Sequence, residues 1–130
     1  MKKIVLDTNA YSRYLLGDKH VFSAIAKAGI VYMSIFVLGE LYAGYKGGVK
    51  EQKNKEILDL FLQKQTVAIL DATIETSKIF GQIKDSLKRT GTPLPINDVW
   101  IAAHAVETGS VIVTYDSHFG KIPGLRLWDH

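Results

Sequence analysis

No cysteine occurs among the 130 residues, which removes disulfides, thiolate metal sites and thiol nucleophiles together. Any metal site must therefore use oxygen or imidazole, and the composition fits a reducing compartment. Long apolar runs are missing as well. The longest, Ile30 to Leu38, is nine residues interrupted by Ser34, well short of the roughly 20 needed to cross a bilayer. After Lys2 and Lys3 only Ile4, Val5 and Leu6 precede Asp7, too little for a secretory signal. A cytoplasmic chain without a membrane segment is expected. The four histidines, His20, His104, His118 and His130, show no paired zinc spacing, so none is assigned as a ligand, and His104 on its alanine-rich segment reads as ordinary packing. No Gly-Lys-Ser/Thr phosphate loop, dinucleotide glycine fingerprint or Gly-flanked serine elbow is present. Nucleotide hydrolases, dehydrogenases and serine hydrolases fall away.

What is present is a globular composition, 47% hydrophobic and 22% charged, enough for a real core in one domain spanning residues 1–130. Short β-rich runs, Lys3 to Leu6, Ile30 to Ser34, Thr66 to Leu70, Val111 to Thr114 and Leu125 to Trp128, alternate with segments of helical spacing. Val21, Ile25 and Ala28 form one such segment; Ile57, Leu58, Phe61 and Leu62 another; Ile79, Phe80, Ile83 and Leu87 a third. Gly47 and Gly48 break one helix from the next. Pro93 and Pro95 stiffen the loop before a helix from Asn97 to Thr108, which Gly109 ends. Alternation of this kind predicts an α/β fold with a largely parallel sheet, helices on both faces and right-handed crossovers.

Four carboxylates stand out against that frame. Asp7 follows the first strand and Asp116 lies just beyond the fourth, at the strand ends where α/β sheets open their ligand crevice. Helix capping and an Asx turn are the alternative uses of these two residues. Asp98, in a helix's first turn, would by itself be explained by the macrodipole. Glu40 interrupts the stripe Val37, Leu38, Leu41, Tyr42 and Tyr45 and is expected to be partly buried, with no obvious basic partner. If the four converge, like charges about 4 Å apart repel by about 4 kcal/mol at an effective dielectric of 20. A hard divalent cation with oxygen ligands reverses that sign and suits phosphoryl chemistry. Net charge is only +3, but setting the four acids aside leaves nine against sixteen Lys and Arg, a remainder of +7. Lys46, Lys50, Lys53 and Lys55 with Lys84, Lys88 and Arg89 then suggest a basic rim for a nucleic-acid backbone. A solvated helix face is the alternative for any one of them.

At these residues the chain resembles the PIN-domain ribonucleases, most closely the VapC-type toxins of toxin–antitoxin pairs. The resemblance runs collinearly through Leu6-Asp7-Thr8-Asn9, then Glu40, Leu41 and Gly44, then Asn97, Asp98 and Ile101 to Ala103, and finally Thr114 to Phe119. It implies a five-stranded parallel sheet of order 3-2-1-4-5, which places Asp7 and Asp116 at the reversal of strand order. It further implies that Asp7, Glu40, Asp98 and Asp116 are catalytic, with Asp7, Asp98 and Asp116 holding Mg²⁺ or Mn²⁺ and with Asn9 and Thr114 in support. A small VapB-type antitoxin and a homodimer are the implied protein partners, and RNA is the implied substrate.

The expected activity is endoribonucleolytic hydrolysis, with in-line attack by a metal-activated water leaving 5′-phosphate and 3′-hydroxyl ends. A catalytically weak PIN-like module that binds RNA or protein is the main alternative. A phosphoacceptor receiver domain is a further one, but it wants a second acid after the first strand, where this chain has Thr8. Tyr42, Tyr45, Phe61 and Leu62, clustered around the Gly47 and Gly48 break, offer more apolar surface than two short helices need, and some of it is expected at an interface.

Overall fold

A computed structural model describes residues 2–130. Strands β1 (Lys3–Leu6), β2 (Ile30–Ser34), β3 (Val67–Leu70), β4 (Val111–Val113) and β5 (Arg126–Leu127) form one sheet in the order β3-β2-β1-β4-β5. Every neighbouring pair runs parallel. Helices α1 (Thr8–Leu15) and α2 (Lys19–Lys27) join β1 to β2, and α3 (Ile35–Tyr45) and α4 (Glu51–Leu62) join β2 to β3. Helices α5 (Ile74–Thr90) and α6 (Ile96–Thr108) carry the chain back from the sheet edge to β4. Right-handed crossovers put this returning pair on the face opposite the earlier helices.

The central strands are apolar because both their faces are covered. Ile4, Val5 and Leu6 of β1 and Ile112 and Val113 of β4 are almost wholly buried, as expected for central parallel strands. Coverage thins at the β3 edge, where Ile69 is half exposed. Strand ends are shorter than the apolar runs. Leu125 still belongs to the turn through Gly124, whose φ of +79° favours glycine, and Thr114 leaves the ladder so that its hydroxyl takes the backbone N–H of Asp116 at 3.0 Å.

Capping fixes where the site helices start. Ser34 ends β2 and caps α3 by accepting from Phe36 N–H at 3.1 Å. Thr73 and Thr76 form a reciprocal capping box at α5, and Gly109, in the left-handed region at φ +65°, ends α6. His104 is core, as its segment suggested. Its Nε2 lies 3.0 Å from the Asp71 carbonyl and its Nδ1 2.9 Å from the Ser34 hydroxyl. The carbonyl can only accept, so Nε2 carries the proton and Ser34 donates to Nδ1, with burial holding the imidazole below its ordinary pKa.

Candidate active site

Asp7 is where β1 becomes α1. Its N–H still donates to the Val113 carbonyl at 3.0 Å, extending the sheet, while its carboxylate turns to cap the helix through Thr8 N–H at 2.8 Å. The other carboxylate oxygen accepts from the Thr114 hydroxyl at 2.7 Å. Only 5% of Asp7 is exposed. That burial pushes its carboxyl up to about 6, with the nearby charges of Asp98 and Glu40 adding to the shift and the two hydrogen bonds opposing it. The capping use of Asp7 is thus real, and it occupies one oxygen of a group whose pKa is set first by burial and raised further by two neighbouring acids.

Thr114 is the junction of the site. It donates to Asp7, accepts from Asp116 N–H, and lies 3.5 Å from Asn9 Nδ2. Asn9 Oδ1 accepts from Tyr115 N–H at 3.1 Å, so this side chain holds the loop after β4 against the start of α1. Both supporting residues therefore act on where the carboxylates sit.

Asp98 stands in the first turn of α6, but its carboxylate caps no helix N–H. Instead Oδ2 meets His118 Nε2 at 2.8 Å. Burial raises the Asp98 carboxyl above its ordinary value; His118 counteracts this, and Glu40 and Asp116 reinforce it. Asp116 caps the short 3₁₀ helix Ser117–Lys121 by accepting from His118 N–H at 3.2 Å, and its Oδ1 also lies 2.8 Å from His118 Nδ1. One imidazole therefore bridges two carboxylates.

Glu40 corrects an expectation. It is exposed rather than partly buried, because Val37, Leu38 and Leu41 take the buried side of α3 and turn Glu40 toward the cleft mouth. Thr8 Oγ1 donates to its Oε1 at 2.9 Å. Ligand oxygens of Asp7, Glu40 and Asp98 lie within 4.8 Å of one another, and so do atoms of Asp98, Asp116 and His118. Asp98 is common to both groups. Among the described residues no lysine or arginine pairs with any of the four acids.

The basic rim is thinner than the charge count suggests. Glu51 engages both Lys46 and Lys55, and Asp85 engages Arg89. The tyrosine and phenylalanine cluster divides in the same way: Phe61 is 3% exposed and packs edge-on against Tyr11, whereas Tyr42 is 38% exposed.

The PIN-domain family model matches residues 4–125. Ribonuclease VapC2 of Rickettsia felis is 32% identical over 132 residues, covering 96% of this chain and 97% of its own length. The chain belongs to the PIN-domain VapC ribonucleases. A second VapC relative, the tRNA(fMet)-specific endonuclease of Salmonella typhimurium, is 33% identical over 98 residues, 75% of this chain and 73% of that protein. Among solved structures, VapBC2 of Rickettsia felis bound to a promoter DNA fragment superposes with a TM-score of 0.86 at 28% identity, covering 98% of this chain and 99% of that one. The chain is thus a VapC-type ribonuclease toxin of a type II toxin–antitoxin system, and its acidic cluster is consistent with a metal site of a PIN nuclease.

Two polar neighbours of the acids escaped the sequence reading. Thr8 follows Asp7 directly, but its link to Glu40 spans 32 positions and depends on α1 meeting α3. His118 sits two residues after Asp116, a local signal for one of its contacts. Its approach to Asp98, 20 positions away, exists only once β4 brings the 3₁₀ helix beside α6.

Proposed function

We propose that this chain is a divalent-cation-dependent endoribonuclease in which Asp7, Asp98 and Asp116 hold Mg²⁺, with Mn²⁺ an effective substitute. The observation that carries this is that Asp98 belongs to two groups whose ligand atoms lie within 4.8 Å of one another, Asp7–Glu40–Asp98 and Asp98–Asp116–His118, with no lysine or arginine among the described residues paired to any of the four acids. The donor set fits a hard cation, since the three proposed ligands all offer carboxylate oxygen. Bound there, such an ion would supply Lewis acidity toward a phosphoryl oxygen and lower the pKa of a water molecule.

The protein's own groups do the rest. Thr114 and Thr8 fix both oxygens of Asp7, so this carboxylate presents a set direction to the cleft. Asn9 holds the loop that carries Asp116. Glu40, exposed and steered through Oε1 by Thr8, is the group available to take a proton from the attacking water at Oε2. With the 3′-oxygen as leaving group, attack of water at phosphorus breaks the P–O3′ bond and leaves a 5′-phosphate and, once the departing oxygen takes a proton from solvent, a 3′-hydroxyl; the RNA 2′-hydroxyl has no chemical part in this, so preference for RNA rests on the surrounding groove.

Solved structures of VapBC assemblies from Rickettsia felis and Haemophilus influenzae support a VapB-type antitoxin as partner here too. The half-exposed Tyr42 beside Tyr45 supports a homodimer contact. We place its action on cytoplasmic RNA, in a single PIN domain over residues 1–130. The test is cleavage of RNA by antitoxin-free protein. Activity with Mg²⁺ or Mn²⁺, its loss in EDTA, and 5′-phosphate ends are expected. Persistent cleavage in EDTA or 2′,3′-cyclic phosphate ends would overturn the mechanism, and binding of RNA without any cleavage would favour the weak binding module.

A further inference from the structure

A cleft of about 340 Å³ lies on the sheet between α2 and the residues following β5. Its floor is apolar: Ile4 of β1 and Val111 and Val113 of β4 project from one face, at the two-residue spacing of a strand. One wall carries the exposed rings of His130 and His20, whose centroids are 6.4 Å apart, and Trp128 stacks on His130 at 4.6 Å with 20° between planes. At the far end stand Lys2 and Lys27, brought together where Gly29 N–H donates to the Lys2 carbonyl at 2.8 Å.

Charge and position both identify what fits. Lys2 and Lys27 are exposed and have no ion-pair partner among the described residues, and Asp129 is the one acidic side chain among the described residues that line the cleft. The near end adjoins a hollow that contains Asp116. Trp128 donates its indole N–H to the Thr114 carbonyl at 2.6 Å, and Trp128 and His130 also line a smaller hollow that contains Asp116. Accessible ring faces take a base, and two ammonium groups without an ion-pair partner take phosphates, the combination that tracks a single strand.

We propose that this cleft binds the single-stranded RNA segment flanking the scissile phosphate, with a base against the rings of His130 and Trp128 and with backbone phosphates at Lys27 and Lys2. This rests on the ribonuclease reading above, and it assigns substrate binding to a surface that none of the four acids lines. Strand selection then depends on α2 and the C-terminal residues rather than on the carboxylates.

The experiment measures binding of a fluorescein-labelled single-stranded RNA by anisotropy in EDTA, across a salt series, alongside cleavage in Mg²⁺. Full-length wild type is compared with the Lys2→Gln/Lys27→Gln double variant and with His130→Ala. Two lost phosphate contacts should lower the log–log salt slope by about 1.4. Affinity should fall about tenfold at low salt for the double variant and several-fold for His130→Ala, with kcat at saturating RNA unchanged. Unchanged affinity and slope, in variants that melt like wild type, overturn the cleft assignment while leaving the ribonuclease intact. Loss of antitoxin binding with RNA binding untouched overturns it in favour of a protein surface. Failure of wild type to bind or cleave RNA at all removes the ribonuclease reading itself.

Discussion

The hydroxyl of Thr114 donates to Asp7 Oδ2 across 2.7 Å, so the ends of β4 and β1 are joined through a carboxylate that is 5% exposed. Thr114→Val keeps the shape and removes the donor, and it also strips Asp116 N–H of its acceptor. Leaving such groups unpaired costs about 1–3 kcal/mol. The expected result is a destabilised protein with weaker Mg²⁺ binding by calorimetry, largely restored in Thr114→Ser. Wild-type Mg²⁺ affinity in Thr114→Val would show that this hydroxyl does not position Asp7.

Asp7 gives a pH dependence of defined sign. Its carboxyl is raised from 3.8 to about 6 in the folded protein, so its favourable contribution is full below the unfolded value and is lost as pH rises through the folded one. The loss is on the order of 3 kcal/mol between pH 4 and 7 without metal. His104 runs the other way: with its pKa lowered in the fold, stability falls as pH drops below about 6.5. Comparing urea unfolding of wild type and Asp7→Asn across this range in EDTA cancels the His104 effect. The difference should grow in favour of Asp7→Asn as pH rises, and a flat difference would remove the burial argument.

His118 bridges Asp98 and Asp116 at 2.8 Å on each side. Removing it in His118→Ala leaves the two carboxylates facing each other without the imidazole, and metal-free stability should fall by about 1–3 kcal/mol. The same change frees oxygens that the proposed cation would use. The gain in melting temperature on adding Mn²⁺ should therefore be larger in His118→Ala than in wild type. A smaller gain would instead make His118 a ligand.

The framework of this site was legible in the sequence because its causes are local. Apolar β1 ending at Asp7, the Pro95 and Gly109 boundaries of α6, and Thr114 to Asp116 after β4 are all readable from neighbouring residues. The resemblance then supplied the strand order that joins them. Glu40 was misjudged because helical spacing gives the apolar stripe but not which flank of α3 the sheet leaves open. His118 was passed over because its second carboxylate is contributed by another element. The cleft beside α2 was invisible for the same reason: Lys2, Lys27 and His130 meet only through the β1–β4 register and the path of the chain after β5.

Asp98 separates a helix-dipole role from a metal-site role by the sign of one stability change. A first-turn acid serving only the dipole stabilises its helix by about 0.3–1 kcal/mol, so Asp98→Asn would weaken the fold and leave cleavage nearly intact. The geometry argues otherwise, since the carboxylate caps nothing and shares its surroundings with Asp7, Glu40 and Asp116. Its raised pKa means that burial and neighbouring acids outweigh the contact with His118. Neutralising it should therefore make metal-free Asp98→Asn more stable than metal-free wild type at neutral pH. Mg²⁺ should reverse the order, because a ligand at 100 times its Kd stabilises the native state by about 2.7 kcal/mol and the variant has lost a ligand. Melting curves in EDTA and in Mg²⁺, paired with one cleavage assay, decide the matter: a destabilised yet fully active Asp98→Asn would take this residue out of the site.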